Sequence, residues 1–120
     1  MARIPISGVN DEALTTPATD VREVISGLDA DGMARRLHLM WVAVANEHAS
    51  QIAVVEIYDS DESTAVTAGL QRAVIHVPAQ DTVIVEWPEP GLIFVTNVTA
   101  ATTNGTIATN GGISGGGYLA

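Results

Sequence analysis

The sequence predicts an all-β protein, an antiparallel and jelly-roll-like β-sandwich of about eight short strands. Valine, isoleucine and threonine, whose β-branched side chains favour strands, make up 36 of the 120 residues, whereas leucine contributes only 7. Turn-forming residues interrupt the chain every ~8–12 residues, which is the spacing of a sandwich. The connections are too short for crossovers, so neighbouring strands are expected to pair antiparallel.

The composition limits the class of partner. A chain of 120 residues corresponds to a single domain. It carries 14 acidic residues against five arginines and no lysine, which gives a formal net charge of −9. Phosphate backbones repel such a chain, so we expect no nucleic-acid partner. No apolar run is long enough to cross a bilayer, so we expect no membrane partner. Cysteine is absent, which excludes disulfides and thiolate metal sites.

The first 20 residues differ from the rest of the chain. They contain two prolines and a glycine, and their apolar residues Ile4, Ile6 and Val9 are spaced for one short strand. We interpret residues 1–20 as an edge strand or as an N-terminal arm that orders on a partner. Residues 21–120 form the predicted β-sandwich domain, which ends in a glycine-rich C-terminal tail.

The sandwich domain begins with a short strand at residues 21–26, followed by a turn at Asp31-Gly32. A long strand covers residues 35–46. Further strands are predicted at residues 52–58, 70–77, 82–87 and 92–99, because prolines and glycines between them cannot lie within a central ladder. The tail contains two weak candidate strands, around residues 106–109 and Ile113–Leu119.

Several predicted strands carry apolar residues on both faces. In residues 35–46, strict alternation places Leu37, Leu39 and Trp41 on one face. Met40 and Val42 then fall on the other face. An antiparallel sheet with one wet face is expected to alternate between apolar and polar residues instead. Either these side chains are exposed singly on the surface, or a second apolar face is covered by another copy of the chain or by a different protein.

The sequence contains no recognisable catalytic or metal-binding pattern. His38, His48 and His76 lack the spacing of known ligand sets. The acidic run at residues 59–62 lacks the glycine and the distal glutamate of an EF-hand. Neither a Gly-x-Ser-x-Gly elbow nor a phosphate-binding glycine loop occurs. We therefore predict a protein that is not an enzyme and that uses no cofactor and no metal.

Three segments follow a recognisable order of strands and turns. They are VVEIYDSDES at residues 54–63, AVIHVPA at residues 73–79 and EWPEPGLIF at residues 86–94. A strand ending in aromatic-Asp, a strand closing in Val-Pro-Ala and a Pro/Gly turn opening a hairpin occur in the same order in a known group of proteins. Across residues 35–100 the chain resembles small jelly-roll virion proteins of tailed bacteriophages, of the head decoration or cement type. The glycine-heavy segment at residues 111–119 departs from the closing strand of that family, and we expect it to be flexible or ordered by a partner.

The resemblance implies a structural virion protein at the capsid surface. Its partners would be the major capsid protein, whose subunits it would bridge, and two further copies of itself in a homotrimer. The expected partner contacts are Ile4, Ile6, Met40, Val42 and Trp87. The alternative is a receptor- or carbohydrate-binding module of a phage tail or head fibre, with Trp87 beside Glu86 and Glu89. A third, weaker alternative is a hydrolase with an acidic pair.

Overall fold

A computed structural model describes residues 3–10, 21–62, 70–102 and 112–120 of the chain. This part of the chain is built from strands, which confirms the predicted all-β class, and it contains no long apolar helix of the kind that spans a bilayer. The strands are β1 (Ile4–Asn10), β2 (Arg22–Ile25), β3 (Leu37–Asn46), β4 (Ala53–Asp59), β5 (Gln71–Val77), β6 (Asp81–Glu86), β7 (Leu92–Phe94), β8 (Val98–Thr102) and β9 (Ile113–Leu119). The strands predicted at residues 21–26, 35–46, 52–58, 70–77 and 82–87 correspond to β2 to β6.

The strands form two antiparallel sheets. The five-stranded sheet has the order β1-β9-β3-β6, with β7 also paired to β3, and the four-stranded sheet has the order β2-β8-β4-β5. The strands pair as they would in one long hairpin, in which each pair encloses the previous one along the sequence. From the inside outward the pairs are β4·β5, β3·β6, β2·β8 and β1·β9. Wrapping such a hairpin into two facing sheets produces a jelly roll, with β7 as an additional short strand.

The core lies between the sheets, and a β-bulge in β3 decides which residues enter it. In the ladder between β3 and β9 the register shifts between Leu39 and Trp41, so that β3 carries one extra residue, Met40. Leu37 and Leu39 point inward before the bulge, and Val42 points inward after it. The prediction that Val42 lies on the face opposite Leu37 and Leu39 is therefore wrong, because strict alternation does not continue through a bulge. Other fully buried core side chains are Val44, Val55, Ile57, Phe94 and Ile113.

The single strand predicted at residues 92–99 is two strands in different sheets. The chain leaves β7 in the five-stranded sheet and enters β8 in the four-stranded sheet. The buried carboxylate of Asp59 holds this crossing, since it accepts hydrogen bonds from the backbone N–H of Val95 at 3.0 Å and of Thr96 at 2.9 Å. The Nη2 atom of Arg72 lies 3.6 Å from the same carboxylate.

The glycine-rich end of the chain is an interior strand of the five-stranded sheet. The strand predicted at Ile113–Leu119 is present as β9, which lies between β1 and β3. Glycine is required at Gly117, because a Cβ atom there would lie 1.8 Å from the carbonyl oxygen of His38. The expectation that this segment is a flexible tail is wrong, since the neighbouring strands pair with it along its whole length. The weak strand predicted at residues 106–109 falls outside the described residues.

Residues 1–20 had two interpretations, an edge strand or an N-terminal arm, and the structure bears on part of this segment. Residues 4–10 form β1, which pairs with β9 at one side of the five-stranded sheet. The edge-strand interpretation is therefore confirmed for these residues. Residues 11–20, which the arm interpretation also included, fall outside the described part of the chain.

Candidate interaction surface

The five residues expected to contact partners do not form one surface. Val42 is fully buried in the core, so its side chain is not accessible to another molecule. Ile6 and Trp87 are half-buried and pack against the same core. Ile4 is 37% exposed at the sheet edge, and Met40 is half-buried at the bulge.

Apolar and small residues instead cover the outer side of the five-stranded sheet. Ala43 lies opposite Ile84 of β6 and opposite Ser114 of β9, and Ser114 lies opposite Val9 of β1. These four residues form a row across four strands. They alternate along their strands with core residues such as Val42, so they point away from the core. This side of the sheet is called the outer face below.

A second row of the outer face centres on Trp41. Trp41 lies opposite Glu86 of β6 and opposite Gly116 of β9, which in turn lies opposite Ser7 of β1. A Cβ atom on Gly116 would lie 2.5 Å from Nε1 and 2.8 Å from Cε2 of the Trp41 indole. The indole therefore rests against the glycine backbone and keeps the face flat.

The outer face is apolar and almost uncharged. Val9 and Ile84 are 62% and 64% exposed, and Trp41 is 37% exposed. Glu86 is the one charged residue of the two rows, although the chain has 14 acidic residues. A contiguous apolar area of this kind is typical of a surface that contacts another molecule.

A cluster of interacting side chains around Tyr118 lies at one end of the outer face. The guanidinium of Arg3 lies 4.3 Å from the centre of the Tyr118 ring, and the His38 ring stacks on Tyr118 with 4.4 Å between centres. The Tyr118 hydroxyl donates a hydrogen bond to Glu89, which also pairs with Arg3 Nη2 at 2.7 Å. The hydrogen bond to Glu89, together with desolvation, raises the pKa of Tyr118. His38 Nδ1 donates to the carbonyl oxygen of Pro90 at 2.8 Å, which ties β3 to the turn after β6.

A polar network lies at the crossing between the sheets. The side chain of Asn97 accepts a hydrogen bond from the Gly27 N–H at 2.9 Å and donates one to Glu23 Oε1 at 3.0 Å. Glu62 accepts a hydrogen bond from the Glu23 N–H at 2.7 Å. Burial, and then repulsion from Glu62, raises the pKa of the Glu23 carboxyl. The contact between Gly27 and Asn97 joins two loops, and the other two contacts join loops to Glu23 of β2, so the network stabilises the fold.

The described residues offer no arrangement suited to metal binding. Among residues 3–10, 21–62, 70–102 and 112–120, no three His, Asp or Glu side chains converge on one point. An open depression of about 350 Å³ lies at one end of β3 and β6. Its lining consists of Ala45, Asn46, Glu47, Gln80, Asp81 and Thr82.

Sequence reasoning missed the residues that build the outer face. Strict alternation groups Trp41 with Leu37 and Leu39, whereas the bulge at Met40 places Trp41 on the opposite side of the sheet. Ile84 was missed because both of its neighbours, Val83 and Val85, are also β-branched and only the pairing with β3 shows which of them point inward. The usable signal was the glycine at position 116, which allows a bulky side chain to lie over the neighbouring strand.

Comparisons of the chain with protein-family models, with curated proteins and with solved structures found no match.

Proposed function

We propose that the protein is a non-enzymatic structural component of a bacteriophage virion that decorates the capsid and stabilises it by bridging neighbouring major capsid subunits. The observation that carries the proposal is the outer face, which presents Val9, Trp41 and Ile84 to solvent across the full width of a rigid sheet. The sequence pattern of residues 35–100 supports the choice of a virion protein. The protein would be located on the capsid surface.

The proposed stabilisation of the capsid depends on many weak contacts between the protein and the capsid subunits. A shell that holds compressed DNA is under tension at the junctions between its subunits. A rigid unit that contacts two or more subunits adds binding free energy that is available only while those subunits stay together. We propose that the unit is a homotrimer, because three linked faces bind a repeating lattice far more tightly than one face does.

The test is occupancy on purified heads of the phage that encodes the chain. Val9→Ser and Ile84→Ser are expected to reduce the bound protein at least several-fold, as measured by sedimentation of the heads. Val74→Ser is the matched control, since Val74 is 46% exposed on a strand of the other sheet. Failure of the unaltered protein to bind heads, or equal binding by all three variants, would rule the proposal out. Light scattering tests the trimer, which requires a mass three times the 12.5 kDa of the chain.

A receptor- or carbohydrate-binding module is the second candidate. One observation favours it, because the indole of Trp41 lies on Gly116 next to the carboxylate-bearing Glu86. An exposed aromatic ring beside a carboxylate can stack on a sugar and hydrogen-bond its hydroxyls. The residue expected to contact the sugar is Trp41 and not Trp87, because Trp87 is half-buried against the core. Quenching of tryptophan fluorescence by host-cell glycans, lost in Trp41→Ala, would favour this candidate over capsid binding.

A further inference from the structure

The strand β6 lies at the edge of the five-stranded sheet, and one side of its backbone is turned away from the sheet. The N–H of Trp87, directly after β6, donates to the carbonyl oxygen of Met40 in β3 at 2.9 Å. Backbone groups of alternate residues point to the same side of a strand, so the residues two and four positions before Trp87 also face β3. The residues whose backbone N–H and C=O point outward are Thr82, Ile84 and Glu86.

The outward backbone groups of β6 are almost all without a partner. Among the described residues, the only strand that pairs with β6 is β3. The Thr82 N–H donates to a side-chain oxygen of Asp81 at 2.8 Å. Within the same part of the chain, the Thr82 C=O and both backbone groups of Ile84 and Glu86 form no hydrogen bond. Such a row of unpaired groups is a template for an added antiparallel strand.

The opposite edge of the same sheet is blocked, whereas the β6 edge is not. The edge strand β1 contains Pro5, which has no N–H, and it lies against β2, since a Cβ atom on Gly8 would be 2.0 Å from the carbonyl oxygen of Val24. The six residues of β6 include neither proline nor glycine, and β6 pairs with β3 without a register shift. The features that prevent strand addition at β1 are therefore absent from β6.

The outward groups of β6 are complementary to those of a second β6 that runs antiparallel to it. With a two-fold axis at Ile84, Ile84 lies opposite Ile84 of the second copy, and Thr82 lies opposite Glu86. Each outward residue then has a hydrogen-bonding partner, and Glu86 faces a hydroxyl group instead of a carboxylate. Moving the axis by one residue places Glu86 opposite Gln80, or Thr82 opposite Pro88, which has no N–H. The axis at Ile84 is therefore the register that pairs all three residues within β6.

We propose that β6 pairs with β6 of a second copy about a two-fold axis at Ile84, which joins the five-stranded sheets of the two copies into one continuous sheet. The inference does not depend on the capsid function. A contact along one strand is smaller than the ~800 Å² per partner of a standard interface, so the association is weak and depends on concentration. In the proposed homotrimer the same pairing would join two trimers.

Sedimentation equilibrium of the full chain at increasing concentration measures this association. We expect the limiting mass to be twice the 12.5 kDa of the chain, or six times that mass when the trimer also forms. A limiting mass of one or three copies would overturn the proposal. Over the same concentrations, hydrogen exchange of the Ile84 and Glu86 amides is expected to slow, because those amides become hydrogen-bonded.

Ile84→Pro tests whether the backbone edge forms the contact. It removes an N–H that β3 does not use, and proline is tolerated on an edge strand where its nitrogen faces solvent. We expect Ile84→Pro to weaken the association at least tenfold. The matched control Ile84→Thr keeps the N–H and a β-branched side chain, and it is expected to associate like the unaltered chain. Association that survives in a folded Ile84→Pro variant would contradict the pairing.

A pair of charge variants tests the register and does not require proline to be accommodated. Thr82→Lys places an ammonium group opposite Glu86 of the second copy and is expected to tighten the association several-fold, whereas Thr82→Glu is expected to weaken it by a similar factor. Val9→Lys, on β1, is the control for the change in net charge. Equal effects of Thr82→Lys and Val9→Lys would refute the register. Loss of binding to phage heads in Ile84→Pro but not in Ile84→Thr, by a chain that stays unassociated, would show that the edge takes a strand of a different protein instead.

Discussion

The bulge in β3 can be tested by comparing Val42, which strict alternation places opposite Leu37 and Leu39, with Val9 of the outer face. Val42 is fully buried, whereas Val9 is 62% exposed on the outer face. Val42→Thr and Val9→Thr both keep a β-branched side chain of nearly the same shape, so the preference for a strand is retained. The two substitutions differ in where the new hydroxyl lies.

The expected magnitudes follow from that difference. Burying a hydroxyl without a hydrogen-bond partner costs about 1–3 kcal/mol in proteins. Val42→Thr is therefore expected to lower the free energy of unfolding by about that amount. Val9→Thr places its hydroxyl in water, so the change is expected to stay within about 0.5 kcal/mol.

Urea unfolding followed by far-UV circular dichroism measures both values. With a urea dependence of about 1–3 kcal/mol per molar, the midpoint of Val42→Thr is expected to fall by roughly 1 M while that of Val9→Thr hardly moves. The slope of the transition should be the same in both variants. Equal losses in the two variants, or a larger loss in Val9→Thr, would show that β3 runs without the bulge and that the inner and outer sides of the sheet have been assigned wrongly.

Three further predictions address other parts of the fold. Gly117→Ala forces a Cβ atom against a backbone oxygen of the neighbouring strand, so we expect a loss of about 2 kcal/mol or more in urea unfolding. The control Gly32→Ala meets no atom within 4 Å and is expected to cost only the strain of a φ of +78°, about 1 kcal/mol. Asp59→Ala leaves the two amides of the sheet crossing without their acceptor and is expected to cost about 1–3 kcal/mol in thermal unfolding, with Asp59→Asn recovering part of the loss; an unchanged midpoint in Asp59→Ala would contradict this role. Burial, and then the hydrogen bond to a neighbouring glutamate, raises the pKa of Tyr58 to about 12, and the pKa of Tyr118 is also raised, mainly by its hydrogen bond to a glutamate. Because the folded pKa of Tyr58 exceeds the unfolded value near 10, its stabilisation is complete below about pH 10 and is lost as the pH rises towards 12. The raised pKa of Tyr118 acts in the same direction. Absorbance of tyrosinate should therefore stay low at pH 10 in the folded protein, and a full transition there would contradict the hydrogen-bond assignments.

The closing strand shows how a local signal can be interpreted in two ways. Glycines at positions 115 to 117 suggest flexibility when only the sequence is considered. In the folded chain the same residues allow β9 to lie between two strands and beneath the indole of Trp41. Which interpretation applies depends on atoms of β3, about 75 residues earlier in the sequence.

The sequence by itself determined the fold class and the position of most strands, because β-branched composition, alternation and turn-forming residues act over a few residues at a time. Tertiary structure alone decided the bulge at Met40, the division of residues 92–99 between two sheets and the burial of Val42. Each of these depends on pairing between distant segments, and a shift of one residue in a strand exchanges its inner and outer sides. The outer face could therefore be located only after β1, β9, β3 and β6 had been placed side by side.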